Sequence, residues 1–169
     1  MEARPRLKLT LSPLDKTLEV ASKIFLFVIW CLTVYTFFKM PATIPTHFNA
    51  LGKPDGYGSK MTILILPGIG TIIYFGLTKV NNYPHLFNYL AKITEDNAQK
   101  QYSIATRTLR CLKLAILIIF SLIILFTYLA TIGVTNGLGF WFLPIMVGFV
   151  LIPVAISLRG SLKKKNNPV

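Results

Sequence analysis

Four apolar runs, each about as long as a bilayer is thick, most constrain what this chain can fold into. They cover residues 20–38, 61–77, 111–132 and 138–158. A helix rises ~1.5 Å per residue, so the first run reaches roughly 29 Å, close to the ~30 Å thickness of the hydrocarbon layer. Only 14% of the 169 residues are charged. The sequence predicts an all-α, polytopic protein with four transmembrane helices in one membrane domain, residues 1–169.

Positive charge is distributed unevenly along the chain. Of 18 Lys and Arg residues, five lie in 1–23, five in 79–110 and four beyond residue 158, whereas 39–60 holds three and 133–139 holds none. Cytoplasmic loops of membrane proteins carry the excess of Lys and Arg. We therefore expect both termini and the middle loop in the cytoplasm, and residues 39–60 outside. Because the bases flank apolar runs, we expect them to contact lipid headgroups, with a C-terminal anchor at Lys163, Lys164 and Lys165, and we expect no nucleic acid partner.

The outer loop, residues 39–60, is too long to be a structureless connection. It has 22 residues, beyond the usual ceiling of about 12 to 15. Pro41, Pro45 and Pro54 fix the backbone φ angle at three points, and Pro54-Asp55-Gly56 is typical of a turn. The sequence predicts an ordered loop with its turn at these three residues.

The outer loop also holds the candidate ligand-binding residues. In an extended segment, His47 and Asn49 would face the same way. Ser59 can cap the second span, and Lys60 beside that helix start suggests a bound anion or a pairing with Asp55. Three plainer interpretations stay open, namely a hydrogen-bonded loop histidine, a turn role for Asp55 and an interfacial anchor at Lys60.

The outer segments carry too few acid, base or metal-ligand side chains for enzyme chemistry. General acid and base work needs two tunable groups and zinc hydrolysis about three ligands, whereas the outer segments offer only His47 and Asp55. A Ser59-His47-Asp55 triad is conceivable only on paper. We therefore expect no catalytic residue, no metal site and no cofactor.

The inner loop predicts two helical segments. Pro84 can start a short helix that runs to about Ile93. Thr94 can cap a second helix, with Glu95 and Asp96 in its first turn. Tyr102, Ala105, Leu109 and Leu112 form an apolar stripe there, and Lys113 can extend back to the membrane surface. We expect this amphipathic helix to lie on the inner leaflet, packed on its own bundle or docked to a cytosolic protein.

Two motifs resemble those of a known family. The first runs from Pro45 through His47, Phe48, Asn49, Gly52, Asp55, Gly56 and Gly58 to Ser59 and Lys60. The second joins Asn88 and Tyr89 to Thr94, Glu95 and Asn97. Together they are similar to the bacterial membrane family called domain of unknown function 1648, over about residues 13–115. That domain opens the SdpI-type immunity proteins.

The resemblance implies a membrane module without established catalytic residues. The best-studied relatives protect a bacterium from a secreted toxin and hold a transcriptional repressor at the membrane. From this we expect an SdpI-like immunity or sensing protein of the bacterial inner membrane, whose outer loop binds a secreted peptide, a lipid headgroup or a small anion. The alternative is a small transporter or an accessory subunit of one.

Overall fold

The computed structural model describes residues 4–162, so the predicted anchor at Lys163–Lys165 lies outside the described residues. The chain forms helix α1, a hairpin of strands β1 and β2, and helices α2, α3 and α4. Their bounds are α1 Pro13–Lys39, β1 Thr43–Phe48, β2 Pro54–Ser59, α2 Ile65–Val80, α3 Glu95–Thr131 and α4 Phe142–Leu162. Short 3-10 segments, Lys60–Leu64 and Pro84–Leu86, precede α2 and follow it.

The four predicted spans are confirmed as helices long and apolar enough to cross a membrane. The first begins early, because Ser12 and Asp15 form a capping box at the start of α1. The fourth begins at Phe142 rather than at the predicted residue 138. Gly137 and Gly139 have φ angles of 132° and 83°, and this left-handed backbone cannot belong to a right-handed helix.

Helix α3 is 37 residues long and packs against α1, α2 and α4. At ~1.5 Å per residue it measures about 55 Å, so it crosses the hydrocarbon layer and continues beyond it. The predicted amphipathic segment of the inner loop is helical and packs on its own bundle, and as the N-terminal part of α3 it continues directly into the third span. In its apolar stripe Tyr102 is fully buried, and Ala105, Leu109 and Leu112 are half-buried. The predicted helix 84–93 is wrong, since only the 3-10 turn Pro84–Leu86 forms.

Strands β1 and β2 pair antiparallel, with Ile44 opposite Gly58 and His47 opposite Gly56. The predicted turn at Pro54-Asp55-Gly56 is wrong, because these residues lie inside β2. The chain reverses earlier, where the Gly52 N–H donates to the Asn49 carbonyl at 2.8 Å and Gly52 has a φ of 71°. Glycine adopts this conformation without the steric cost that a Cβ would bring.

The bundle has two unlike ends. The hairpin end carries the β-hairpin and the α3–α4 loop. The basic end carries the start of α1, the α2–α3 connection and the end of α4, where Gln101 on α3 bonds Ser161 on α4. Between the two ends the helices pack closely. A Cβ added to Gly70 would lie 3.3 Å from Leu117 Cδ2 and 3.8 Å from Ile29 Cδ1.

Candidate functional site

A histidine–carboxylate pair lies on the hairpin. His47 Nδ1 and Asp55 Oδ1 are 2.5 Å apart, and the two side chains are 72% and 41% exposed. The strand pairing sets this geometry, because Gly56 sits opposite His47 and a Cβ there would meet His47 Cβ at 2.9 Å. Among residues 4–162, the other ring nitrogen, Nε2, has no hydrogen-bond partner. The carboxylate therefore orients the ring and leaves Nε2 available to a ligand.

Asn49 holds the hairpin turn together. Its carboxamide oxygen accepts hydrogen bonds from the backbone N–H groups of Leu51 (2.9 Å) and Lys53 (3.1 Å). The residue lies just beyond β1, and the strand pairing is irregular around His47. Regular alternation therefore does not place Asn49 beside His47, and its oxygen serves the turn.

Ser59 and Lys60 serve the junction between α1 and α2. The Ser59 hydroxyl accepts a hydrogen bond from the Met61 N–H at 3.3 Å and caps the segment leading into α2, which confirms the predicted cap. Lys60 Nζ donates to the carbonyls of Phe37 (3.3 Å) and Met40 (3.5 Å) and lies 4.7 Å from the Phe37 ring centre. The ammonium group thus stabilises the negative end of the α1 dipole. Asp55 pairs with His47 rather than with Lys60.

A cleft of about 600 Å³ lies beneath the hairpin. Residues 44–50 border it on one side, and the start of α2, the start of α4 and the outer part of α3 form its walls and floor. The helix side chains that line it are mainly apolar, namely Ile63, Ile65, Leu66, Ile123, Thr127, Phe142, Leu143 and Met146. His47 and Asn49 on the border, together with Thr46 and Thr62, are polar. An apolar interior with a few polar groups is typical of ligand clefts.

Three glycines fix the hairpin over this cleft. The Leu138 N–H donates to the Gly52 carbonyl at 2.7 Å, which joins the hairpin turn to the α3–α4 loop. Side chains would prevent that contact. A Cβ on Gly52 would lie 2.5 Å from the Gly139 carbonyl oxygen, and one on Gly137 would collide with the Gly52 carbonyl. Gly52 therefore has a structural role, as do Gly56 and Gly58, which face His47 and Thr46. Pro45, buried opposite Tyr57, completes the strand.

The second motif builds the junction into α3 at the basic end. Thr94 is the N-cap of α3, as predicted, with Glu95 in the first turn. Asn97 closes a capping box, accepting from the Thr94 N–H at 3.0 Å and donating to the Lys92 carbonyl at 2.9 Å. Asn88 is exposed. These residues lie far from the cleft. The two motifs therefore form two separate parts of the structure, one at the hairpin end and one at the basic end.

Tyr89 is the anchor of this junction. Its hydroxyl donates to the Pro84 carbonyl at 2.8 Å, and its ring packs against Phe87 and Tyr102. The Arg4 guanidinium lies 5.6 Å from the centre of the same ring. Burial raises the pKa of the Tyr89 phenol above its ordinary value, because the anionic form would lose its hydration.

Sequence reasoning missed an ion-pair cluster of Asp15, Glu19, Arg107, Arg110 and Lys113 at the basic end. Arg107 Nε lies 2.9 Å from Asp15 Oδ1, and Arg110 Nε lies 3.0 Å from Glu19 Oε1. The expected extension of Lys113 to the membrane surface is wrong, because Lys113 is fully buried and bonds Glu19 and Thr78. The sequence did contain a signal for this cluster. The two acids are four residues apart on α1 and the bases are three apart on α3, so each set occupies one helix face.

Ser59 lies away from the His47–Asp55 pair. Ser59 pairs with Thr43, four residues along β1 from His47, a separation of about 13 Å at ~3.3 Å per residue, so no triad assembles. Among residues 4–162, His, Cys, Asp and Glu side chains form no group of three that could hold a metal ion. What the site offers is a shaped apolar cleft with an oriented histidine at its border.

Two comparisons relate parts of this chain to known sequences. An uncharacterised protein of the archaeon Archaeoglobus fulgidus is 36% identical over 88 residues, in an alignment that covers 46% of this chain and 48% of the relative. The matched region is thus about half of that relative's length. No solved structure matches the chain. The family described as "Domain of unknown function (DUF1648)" matches residues 24–71, which run from α1 through the hairpin into α2. As the first motif predicted, this segment of the chain matches the DUF1648 family.

Proposed function

We propose that this protein is a recognition module that binds an amphipathic molecule in the cleft beneath the hairpin. The observation that carries the proposal is the cleft itself, which has apolar helix walls and a polar border at His47 and Asn49. A ligand with an apolar part and a polar group would match both surfaces. A small free anion fits less well, because the Lys60 ammonium is occupied by the end of α1.

The hairpin end faces the outside of a bacterial cytoplasmic membrane in this proposal, with both termini in the cytoplasm. Its support is the charge distribution, since 39–60 and 133–139 together hold three of the 18 bases. The cleft would then meet molecules that arrive from outside. This is the arrangement that an SdpI-like immunity or sensing protein requires.

Transport, the alternative function, has weaker support. A solute path would have to continue from the cleft toward the basic end, between α1, α2 and α3. There Gly70 packs directly against Leu117 and Ile29, and Lys113 is locked between Glu19 and Thr78. We therefore favour binding over passage.

Cysteine protection tests the proposed function. Cys31 and Cys111, which are both free, are replaced by Ala, and a single cysteine is placed at Thr46, which is exposed and borders the cleft. The rate of alkylation by a membrane-impermeant maleimide is measured in intact cells and in nanodiscs. The probes are lysophosphatidylglycerol and a leucine-rich amphipathic peptide.

We expect the T46C variant to react from outside and at least one probe to slow the reaction. The K39C variant, also exposed but away from the cleft, should be unaffected. Adding I123W should fill the cleft and abolish protection, whereas I72W on an exposed face of α2 should not. Equal rates with and without both probes would contradict the function, and labelling only after cell lysis would contradict the orientation.

A further inference from the structure

The cleft is continuous with the outer surface of the helix bundle. Ile65 of α2 and Leu143 of α4 line the cleft, and yet they are 55% and 50% exposed. Each therefore forms part of the cleft wall and part of the surface that faces lipid in a bilayer. The opening between the starts of α2 and α4 is a lateral one, directed toward the membrane.

The depth of the cleft stays within one leaflet, because its deepest residue on α3, Ile123, lies eight residues before the end of that helix, or about 12 Å at ~1.5 Å per residue. Its α4 lining runs from Phe142 to Met146, just over one helical turn, and its α2 lining stops at Leu66. At ~1.5 Å per residue these residues lie within about 6 Å of the helix starts. Trp141, at the start of α4, belongs to a residue type that is enriched at membrane interfaces.

The border formed by β1 is better suited to bind an alkyl chain than an extended peptide. Seven consecutive residues, 44–50, line the cleft, so both side-chain directions of the strand are represented. The cleft thus runs along the edge of β1 rather than over one face. A peptide strand would add to this edge through alternating N–H and carbonyl groups. Pro45 lacks an N–H and weakens such an edge, whereas an alkyl chain needs no hydrogen bonds.

We propose that the cleft takes an acyl chain of a lipid or lipid-linked molecule from the leaflet on the hairpin side. The chain enters laterally between α2 and α4, and its polar head lies at the border formed by His47 and Asn49. This inference rests on the proposed function and names its ligand class. Phe142, at the start of α4 and only 5% exposed, would contact the chain.

Quenching of tryptophan fluorescence by brominated lipids tests the inference. Trp30 and Trp141 are replaced by Phe, and a single tryptophan is introduced by F142W. The protein is placed in nanodiscs of phosphatidylglycerol with bromine atoms near the head-group end of the acyl chains or near their methyl end. F38W is the lipid-exposed reference at the hairpin end, and Y74W is the buried reference away from the cleft.

We expect F142W to be quenched to an extent comparable with F38W, and more strongly by bromines near the head group. Y74W should retain its fluorescence. M146W, which also lines the cleft, repeats the measurement if F142W does not fold. Quenching of F142W and M146W no stronger than that of Y74W would overturn the inference.

The two experiments distinguish failure of the recognition function from failure of the acyl-chain proposal. Protection of T46C by the peptide without quenching of F142W or M146W would leave the recognition function standing and remove the acyl-chain ligand. Quenching without protection by either probe would establish a lipid-filled cleft and remove the recognition of added molecules. Protection by lysophosphatidylglycerol together with quenching supports both.

Discussion

The Lys113 ammonium lies 2.7 Å from the Glu19 carboxylate inside the helix bundle, where Lys113 has no exposed surface. It also donates to the Thr78 hydroxyl at 2.9 Å and lies 4.8 Å from the centre of the Tyr74 ring. One side chain of α3 therefore bonds α1 and α2 at once. A buried charge must be paired or hydrogen-bonded, so this contact fixes how the three helices meet at the basic end.

Removing one partner of this pair should destabilise the protein strongly. Glu19→Gln leaves a buried ammonium without its counter-charge, and a loss of about 3 to 5 kcal/mol is typical of such a change. Lys113→Met should cost less, because Glu19 keeps its contact with Arg110, and the double variant should cost less than the sum of the two. Unfolding of the four proteins in detergent, followed by circular dichroism, gives the coupling energy. Lys16→Met, at an exposed position of α1, is the control, and strict additivity would contradict the pairing.

Gly52 should be intolerant of even a methyl group. Gly52→Ala combines a left-handed backbone with a Cβ placed 2.5 Å from the Gly139 carbonyl, and it should cost more than about 1 kcal/mol. Gly76→Ala is the matched control. Nothing lies within 4 Å of its added Cβ, and Ala in a helix interior is favoured over Gly by roughly 0.8 to 1 kcal/mol. Melting temperatures should therefore move in opposite directions, and a G52A variant as stable as wild type would disprove the interlocked loops.

Lys60 should contribute to stability through the end of α1. Lys60→Met removes the hydrogen bonds to Phe37 and Met40, and a charge at a helix C-terminus is typically worth about 0.3 to 1 kcal/mol. Lys53→Met, at an exposed position in the same loop, should have little effect. Denaturant titration of both variants provides the measurement. Equal effects would show that the Lys60 contact is only a surface interaction.

Tyr89 should make the basic end sensitive to alkaline pH. Burial raises the pKa of its phenol in the folded protein above the unfolded value of about 10. The stabilisation from the neutral phenol is then complete below about pH 10 and is lost as the pH rises toward the folded-state pKa. Melting temperatures between about pH 8 and 11 should fall less steeply for Tyr89→Phe than for wild type. At neutral pH the variant should lose about 1 kcal/mol with the bond to Pro84. Parallel pH curves would contradict this role.

Local signals were sufficient for the four spanning helices and for two of the caps. The length of an apolar run against the bilayer thickness is a property of one segment, and the four spans follow from it. The caps at Ser59 and Thr94 follow from residue type and spacing alone. The motif around His47 was equally local, and the family that it resembles is the one that matches residues 24–71, a shorter stretch than the predicted 13–115.

Tertiary structure decided the partners of the long polar side chains and the existence of the cleft. Lys60 contacts α1, Lys113 contacts α1 and α2, and Asp55 contacts His47, because a flexible side chain bonds whichever element packs beside it. The cleft is built by β1, α2, α3 and α4 together. A one-dimensional pattern specifies which segments are long and apolar enough to span a membrane, whereas the spaces left between helices depend on how all of them pack.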